Sequence, residues 1–400
     1  MSRPVWLIVG GGIGGLSTAL ALARARQRVH LLERAAAFRE IGAGLQIGAN
    51  ATRAMHRLGI LGAVEDVAVH PDRGVLMDAV NGTVLTALTL GPGYRERYGF
   101  PYLVMHRSDL LDILLAACRD EDLITLENGK HVVSVASGPV GGSVTCADGS
   151  SYDADVIVGA DGIRSAVRQL IDQSEPIASG YVAYRGTMPV TEVAGINPAD
   201  VVIWIGPEIH LVQYPVRRAE LYNQVAVFHS HRWENGEQDW GAPEELDERF
   251  AVACPPVRDA VSLVGRDQRS PIFERDPLPT WRYHRAVLTG DAAHPMLQYL
   301  GQGACQAMED ALMLAERAAG AGPAGADPAA ADPDALDKAL LGFEEARLPR
   351  TTRCQLTARP WGRLWHTTDP LLSALRNRLM RLRAHDDYSD VDWLYAEQPV

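Results

Sequence analysis

Three groups of residues in this chain have types and spacings that bear on chemistry. The first is GxGxxG at Gly10, Gly12 and Gly15, followed by Glu33 eighteen residues after the last glycine. Such glycines let backbone approach a pyrophosphate, and an acid at that distance can accept from a ribose hydroxyl. The spacing therefore suits a dinucleotide, the alternative being a glycine-rich structural turn. The second is "GDAAHPMLQYLGQG", residues 290–303, which sets Asp291, and later Gly301 and Gly303, ahead of a segment of helical periodicity. Free N–H groups and the positive dipole end at such a junction favour an anion or developing negative charge, and the bland reading is an ordinary strand-to-helix connection. The third is "IHLVQYP", residues 209–215, where strand alternation puts His210, Val212 and Tyr214 on one face and Ile209, Leu211 and Gln213 on the other. Two polar aromatics share that face, unless they are a satisfied core histidine and an ordinary sheet tyrosine.

The elements that must position these residues follow from periodicity. "VWLIVG" (5–10) is a buried strand, "GGLSTALALARAR" (14–26) a helix and "RVHLLER" (28–34) a second strand, which makes a βαβ unit around the glycines. "ADVIVGADGIRSAVR" (154–168) carries another apolar strand ending at Asp161-Gly162, and "RAVLTG" (285–290) repeats that layout before the helical "GACQAMEDALMLAERAA" (303–319). Strands this far apart imply one nucleotide fold assembled from distant parts of the chain. Between them, 181–190, 201–206, 209–217 and 221–230 read as strands joined by turns, an inserted and mainly antiparallel sheet. The expected fold class is α/β, with a Rossmann-like domain from residues 1–70, 100–175 and 275–320, a sheet domain from 71–99 and 176–274, and C-terminal helices from 337–400. "AGAGPAGADPAAADPDA", after Ala318, is too poor in bulky apolar residues to pack and reads as a mobile loop. "FEEARLPRTTRCQLTAR" (343–359) resumes as helix, with Pro349 a kink or boundary.

Composition excludes several classes. At 400 residues, 47% hydrophobic and 22% charged, the chain is long enough for two to three domains and ordinary for a globular enzyme. A net charge of -12 argues against a nucleic-acid partner. Five cysteines, Cys118, Cys146, Cys254, Cys305 and Cys354, form no CxxC pair, so neither a disulfide framework nor a metal site is expected and the compartment reads as reducing. The uncharged run Pro4–Ala23 contains five glycines, which suit a tight turn better than a signal peptide or membrane span, so a cytoplasmic protein is expected.

GxGxxG with Glu33, "DGIRSAVR" (161–168) and "GDAAHPMLQYLGQG" together resemble the single-component FAD aromatic hydroxylases, the para-hydroxybenzoate hydroxylase-like group, along nearly the whole chain. Within it the likeness is to the 3-hydroxybenzoate 6-hydroxylases, through "EIGAGLQIGANATR", "FPYLVMHRSDL", "HLVQYPVR", "HPMLQYLGQGA", "WGRLWH" and "YSDVDWLY" in that order. The resemblance implies bound FAD, NADH or NADPH as a transient reductant, O2 as co-substrate, a small phenolic, hydroxybenzoate-like substrate, and a homo-oligomer. It implies ring hydroxylation through a flavin hydroperoxide. The alternatives are a tailoring hydroxylase of a hydroxypyridine or larger phenol and, outside catalysis, a flavin-bound redox sensor.

Residue by residue, the resemblance gives Asp291 a contact with the FAD ribityl chain and turns the backbone at Gly301 and Gly303 to the flavin pyrimidine end. Arg107 would lie near the FAD phosphates or isoalloxazine, unless it caps its helix and pairs with Asp109. Asp161 and Gly162 match a motif tied to FAD and nicotinamide binding, where Arg168 has a structural reading. His210 and Tyr214 would line the cavity over the flavin, with His210 as the base or hydrogen-bond partner of the substrate hydroxyl: a phenol near ~10 is scarcely ionised at neutral pH, and a histidine near ~6.5 can serve. The chain departs from many relatives at Gln298, where they carry proline, and at Cys305, where they carry asparagine. Gln298 can hydrogen-bond a substrate hydroxyl or carboxylate, or be a solvated loop amide; Cys305 reads as a small helix residue against the core.

Overall fold

The structure, a computed structural model, describes residues 6–38, 44–193, 197–267, 269–321 and 333–397. A six-stranded sheet runs in the order Arg282–Tyr283, Ala286–Leu288, Val156–Gly159, Trp6–Val9, Val29–Leu32, Ile124–Glu127. All its pairings are parallel except that of the Arg282–Tyr283 edge. The central strands, WLIV, VIVG and AVL, are buried throughout, as parallel strands covered on both faces should be. Helix Ile13–Arg24 makes the crossover between the first two, and helix Gly303–Ala318 lies beside it, with the Ala307 methyl close to Gly14. The strands come from three separate stretches of chain, which is how distant motifs reach one sheet end.

The second sheet has seven strands, ordered Arg269–Glu274, Ile177–Pro189, Leu221–His229, Ile209–Val216, Asp200–Gly206, Arg73–Asp78, Val84–Thr89. It is antiparallel except between Arg73–Asp78 and Asp200–Gly206. Alternation divides its residues cleanly. Tyr184, Trp204, Ile209, Leu211 and Phe228 pack one face against Leu246, Phe250 and Val257 of two short helices. The opposite face carries Ala183, Ile205 and Val227 against Leu297, Tyr299 and Trp365. Arg185 and His210 belong to this second face by register, which sets the site. A smaller three-stranded antiparallel sheet, Val132–Gly138, Gly141–Cys146 and Ser151–Ala154, was not anticipated.

Pro349 is not a boundary. One helix runs Pro333–Trp365 with both Pro349 and Pro360 inside it. Each proline removes a helical hydrogen bond, and tertiary contacts compensate: Arg347 and Arg350 bind Glu309, and the Gln355 amide donates to the Arg275 and Pro295 carbonyls. The loop expected after Ala318 falls largely on residues 322–332, outside the described residues. No helix among the described residues is long and apolar enough to cross a membrane.

Candidate functional site

Glycine geometry accounts for the first motif. Gly10 holds φ +108°, and a Cβ there would lie 2.4 Å from the Ala160 carbonyl oxygen; one at Gly15 would lie 1.9 Å from the Gly10 oxygen. The turn fits against the end of the Val156–Gly159 strand only without side chains. Gly12 occupies the N-cap of Ile13–Arg24, so the positive end of that helix lies at the carboxyl end of the parallel strands. Glu33 accepts from Gly11 N–H at 2.7 Å and Ala35 N–H at 2.8 Å, which ties the two neighbouring turns together. Asp161 accepts from Ala166 N–H at 2.7 Å through Oδ2, while its Oδ1 is buried with no hydrogen bond among the described residues.

The "GDAAHP" loop opens with left-handed Gly290 and a 3-10 turn that leaves the Asp291 side chain exposed. Gly301 is also left-handed (φ +61°), and Gly303 starts the Gly303–Ala318 helix, where a Cβ would come 3.9 Å from Asp291 Oδ1. Asp291 therefore stands over a helix N-terminus.

Two buried charges fix the loop from below. Asp310 Oδ2 accepts from Thr289 Oγ1 and Gly290 N–H at 3.1 Å each and meets His294 Nε2 at 2.6 Å, while its Oδ1 receives Arg347 Nε at 2.7 Å. Arg168, closing "DGIRSAVR", donates to the Ala292 and Ala293 carbonyls at 3.1 and 3.2 Å and pairs with Asp172. The second nucleotide motif thus holds the third. Cys305 is buried in the same helix against the Gln46 carbonyl, and burial pushes its thiol up to about 12, as suits an inert core residue.

The sheet face presents a connected polar chain. Arg185 donates to Gln298 Oε1 at 3.4 Å, Gln298 Nε2 lies 3.3 Å from His210 Nε2, and His210 Nδ1 lies 2.7 Å from His366 Nε2. The chain fixes its own hydrogens. A guanidinium only donates, so the Gln298 oxygen faces Arg185 and its NH2 faces His210. His210 Nε2 then accepts, Nδ1 carries the proton, and that proton points at His366 Nε2. Burial, and after it the Arg185 charge, push His210 down to about 3, so its imidazole is neutral.

Tyr214 lies on the same face as His210 but not in contact with it. Its ring packs on Gly44, where a Cβ would come 2.4 Å from it, and Asn223, its cross-strand partner, accepts from Gly44 N–H at 2.7 Å. Arg185 is what the two share: its charge lowers both, against a burial that drives Tyr214 upward. Arg107 opens the Arg107–Arg119 helix and is close enough to Arg185 that its charge, after burial, pushes the Arg185 guanidinium down from its ordinary value. The expected alternative partner, Asp109, belongs to Arg217 instead, at 2.9 Å.

Arg185 and His366 were missed in the sequence. Arg185 is the charged residue in an otherwise apolar alternation, "YVAYRG", and His366 ends "WGRLWH", a motif noted without a role. Asp310 was also legible, as an acid on the apolar Ala307–Ala311–Leu314 stripe of its helix.

The residues fit a flavin dinucleotide. Side chains at Gly10 and Gly15 are excluded where a pyrophosphate would approach, Asp161 offers a buried carboxylate oxygen, and Asp291 stands exposed over a helix N-terminus as a polyol acceptor. Comparison with known proteins agrees. Residues 4–327 match the FAD binding domain family. The chain is 35% identical over 396 residues to 3-hydroxybenzoate 6-hydroxylase of Polaromonas naphthalenivorans (strain CJ2), covering 98% of this chain and 95% of that one. It is 35% identical over 402 residues to the 3-amino-4-hydroxybenzoate 2-monooxygenase PtnB3 of Streptomyces platensis, covering 98% and 96%. Klebsiella pneumoniae HpxO, solved with FAD and uric acid, shares the fold with a TM-score of 0.80 at 24% identity over 95% and 93% of the two chains. By these matches across its length, the chain belongs to the FAD binding domain family, as one of its FAD-, NAD(P)H- and O2-dependent aromatic hydroxylases.

Proposed function

We propose that the substrate is a phenolic acid of the hydroxybenzoate class and that His210 removes the proton of its ring hydroxyl. The observation that carries this reading is the hydrogen-bonded chain Arg185–Gln298–His210–His366, half-buried at Arg185 and Gln298 and buried at the two histidines, which leaves one histidine lone pair, at His210 Nε2, turned to the amide on the cofactor loop. Bound FAD, reduced by NAD(P)H, supplies the oxygen atom from O2. Gly10, Gly12, Gly15, Glu33, Arg107, Asp161, Asp291, Gly301 and Gly303 would hold that group. The balance is one ring C–H converted to C–OH, one NAD(P)H oxidised and one water formed.

The protein's own part is to make the ring electron-rich. Phenolate is that form, and Arg185 would provide a half-buried positive charge beside it. Gln298 holds His210 in the accepting tautomer and offers its amide to the substrate, and Tyr214 closes the wall near Gly44. Screening 3-hydroxybenzoate, aminohydroxybenzoates and hydroxypyridines for stimulated NAD(P)H oxidation, with mass spectrometry of the product, is expected to show one added oxygen on a hydroxybenzoate. Stimulation by hydroxypyridines alone would reject the substrate class; NAD(P)H oxidation unstimulated by any of them would reject the phenolic acid outright.

We also propose a homo-oligomer. Helix Pro370–Leu382 turns Leu371, Leu372, Leu375, Leu379 and Leu382 outward, 49–75% exposed, in one stripe. The stripe is symmetric about Asn377: an antiparallel second copy puts Leu372 opposite Leu382 and Leu375 opposite Leu379, as a twofold contact requires. Leu375→Glu with Leu379→Glu is expected to halve the solution mass by light scattering; an unchanged mass excludes this face.

A further inference from the structure

Behind His210 the aromatic chain continues away from the cofactor loop. The His366 ring lies nearly coplanar with His210, 20° between planes and 4.9 Å between centroids, edge to edge along the Nδ1–Nε2 contact, and it stacks on Tyr181 at 4.6 Å and 22°. Tyr181 in turn meets His229 edge-on at 4.8 Å. His229 Nδ1 lies 3.7 Å from Glu208 Oε1, and the other oxygen of Glu208 lies 3.1 Å from His231 Nε2 and pairs with Arg249. The backbone joins the same pieces, because Glu208 N–H donates to the His366 carbonyl at 3.0 Å. Exposure rises along the line: 1% at His210, 4% at His366, 12% at the His229 side chain and 51% at that of His231. The line therefore leads from two buried histidines toward solvent, by a hydrogen bond as far as His366 and by ring contacts beyond it.

We propose that His366 is the second member of a proton relay: the substrate hydroxyl proton goes to His210 Nε2, the His210 Nδ1 proton passes to His366 Nε2, and the His366 Nδ1 proton leaves past Tyr181 toward the His229–Glu208–His231 cluster and solvent. The proposal rests on the reading of His210 as the base. One O–H bond breaks and one proton reaches solvent, while each imidazole ends neutral with its tautomer inverted. The reverse passage, as the product hydroxyl is reprotonated, restores both. The required starting tautomers are those the Arg185–Gln298 amide already dictates. They leave the proton of His366 on Nδ1, which is buried and has no hydrogen bond among the described residues; the same is true of His229 Nδ1. Two ring nitrogens, one on each side of Tyr181, thus have capacity to pass a proton onward.

Magnitudes favour passage over storage. A phenol titrates near ~10, and burial and the Arg185 charge push His210 far below that, so a proton simply parked on His210 is strongly opposed. Every group around His366 points the same way. Burial first, then the charges of His210, His229 and Arg376, drive its titration well below the ordinary histidine value, and the remaining neighbours, Tyr181, Tyr299 and Trp365, are neutral. A relay that ends with both rings uncharged avoids that penalty and leaves the phenolate beside Arg185.

The test mixes FAD-loaded enzyme with 3-hydroxybenzoate in a stopped-flow instrument containing a pH indicator. Phenolate absorbance and proton release are followed together, before any NAD(P)H is added. Wild type is expected to ionise the phenol and release about one proton per site. His366→Gln keeps an acceptor for His210 Nδ1–H but cannot relay. It is expected to bind substrate and FAD normally, to slow proton release at least tenfold, and to raise the pH at which bound phenol ionises. His366→Ala is expected to behave alike and to regain its rate with added imidazole, which a packing defect would not do. His229→Gln, farther along, should slow release less. Wild-type release rates and an unchanged pH profile in both His366 variants overturn the relay while His210 stands, provided His210→Gln abolishes ionisation. If wild type ionises no phenol on binding, the base reading falls and the relay with it.

Discussion

His210→Gln is expected to oxidise NAD(P)H at close to the wild-type rate while hydroxylating roughly 10²- to 10⁴-fold more slowly, with the missing product appearing as hydrogen peroxide. The expectation follows from where His210 sits. Its Nε2 accepts from the Gln298 amide on the loop that carries Asp291 and Gly301, and in the proposed reading this nitrogen meets the substrate hydroxyl and takes no part in the reduction by NAD(P)H. Glutamine fills the same space and preserves a hydrogen bond, so the sheet should be undisturbed, but an amide takes no proton at neutral pH. The ring then stays a phenol, too electron-poor to capture oxygen before it escapes. Product per NAD(P)H, measured with peroxide from about pH 6 to about pH 9, decides the matter. Wild type should show little dependence over that range, because the neutral imidazole persists far below it. The variant should recover as alkali ionises the phenol without help. Equal coupling in both proteins at every pH would remove His210 from the mechanism.

What the sequence made legible was whatever depends on local pattern. The glycine turn at Gly10–Gly15, the buried strands on either side of it and the alternation of residues 209–216 are all encoded within a few neighbours, and the structure has them where periodicity puts them. The joint surface of His210 and Tyr214 was legible for the same reason, since side-chain period in a strand is fixed. Contacts across sequence were not. Arg185 reaches Gln298 over 113 residues and His210 reaches His366 over 156, and nothing in either segment alone announces the other. Asp109 shows the same limit: it stands beside Arg107 in sequence, yet it pairs with Arg217 from 108 residues away. Pro349 misled similarly, because a rule about isolated helices yields when Arg347 and Gln355 anchor the helix on both sides of it.

Asp310→Asn is expected to destabilise the fold by about 3–5 kcal/mol and to release FAD. The carboxylate is wholly buried and receives four donors: Thr289, Gly290 and His294 from the cofactor loop, and Arg347 from the long C-terminal helix. An asparagine keeps one oxygen, but turns an NH2 toward donors and leaves the Arg347 guanidinium facing a neutral amide. That is the costly case, a buried charge without its counter-charge, and the loop that presents Asp291 is directly above it. Burial alone would raise the Asp310 carboxyl; His294 and Arg347 outweigh it and hold it well below the usual carboxylate range. A depressed folded value contributes stability above the unfolded value near ~3.9 and loses it as pH falls further. The gap between wild type and Asp310→Asn should therefore be constant from about pH 7 to about pH 5 and narrow only below about pH 4. The buried neutral histidines have the other onset. His210 and His366 titrate lower in the fold than the ~6.5 of an unfolded histidine, so unfolded chains bind more protons below that pH, and both proteins should lose stability together from there downward. Denaturant unfolding of wild type and variant at several pH values separates the two. A gap that opened or closed between pH 7 and 5 would count against the carboxylate as its source, since the histidine contribution is common to both proteins, and no gap at all would mean that Asp310 does not hold the loop.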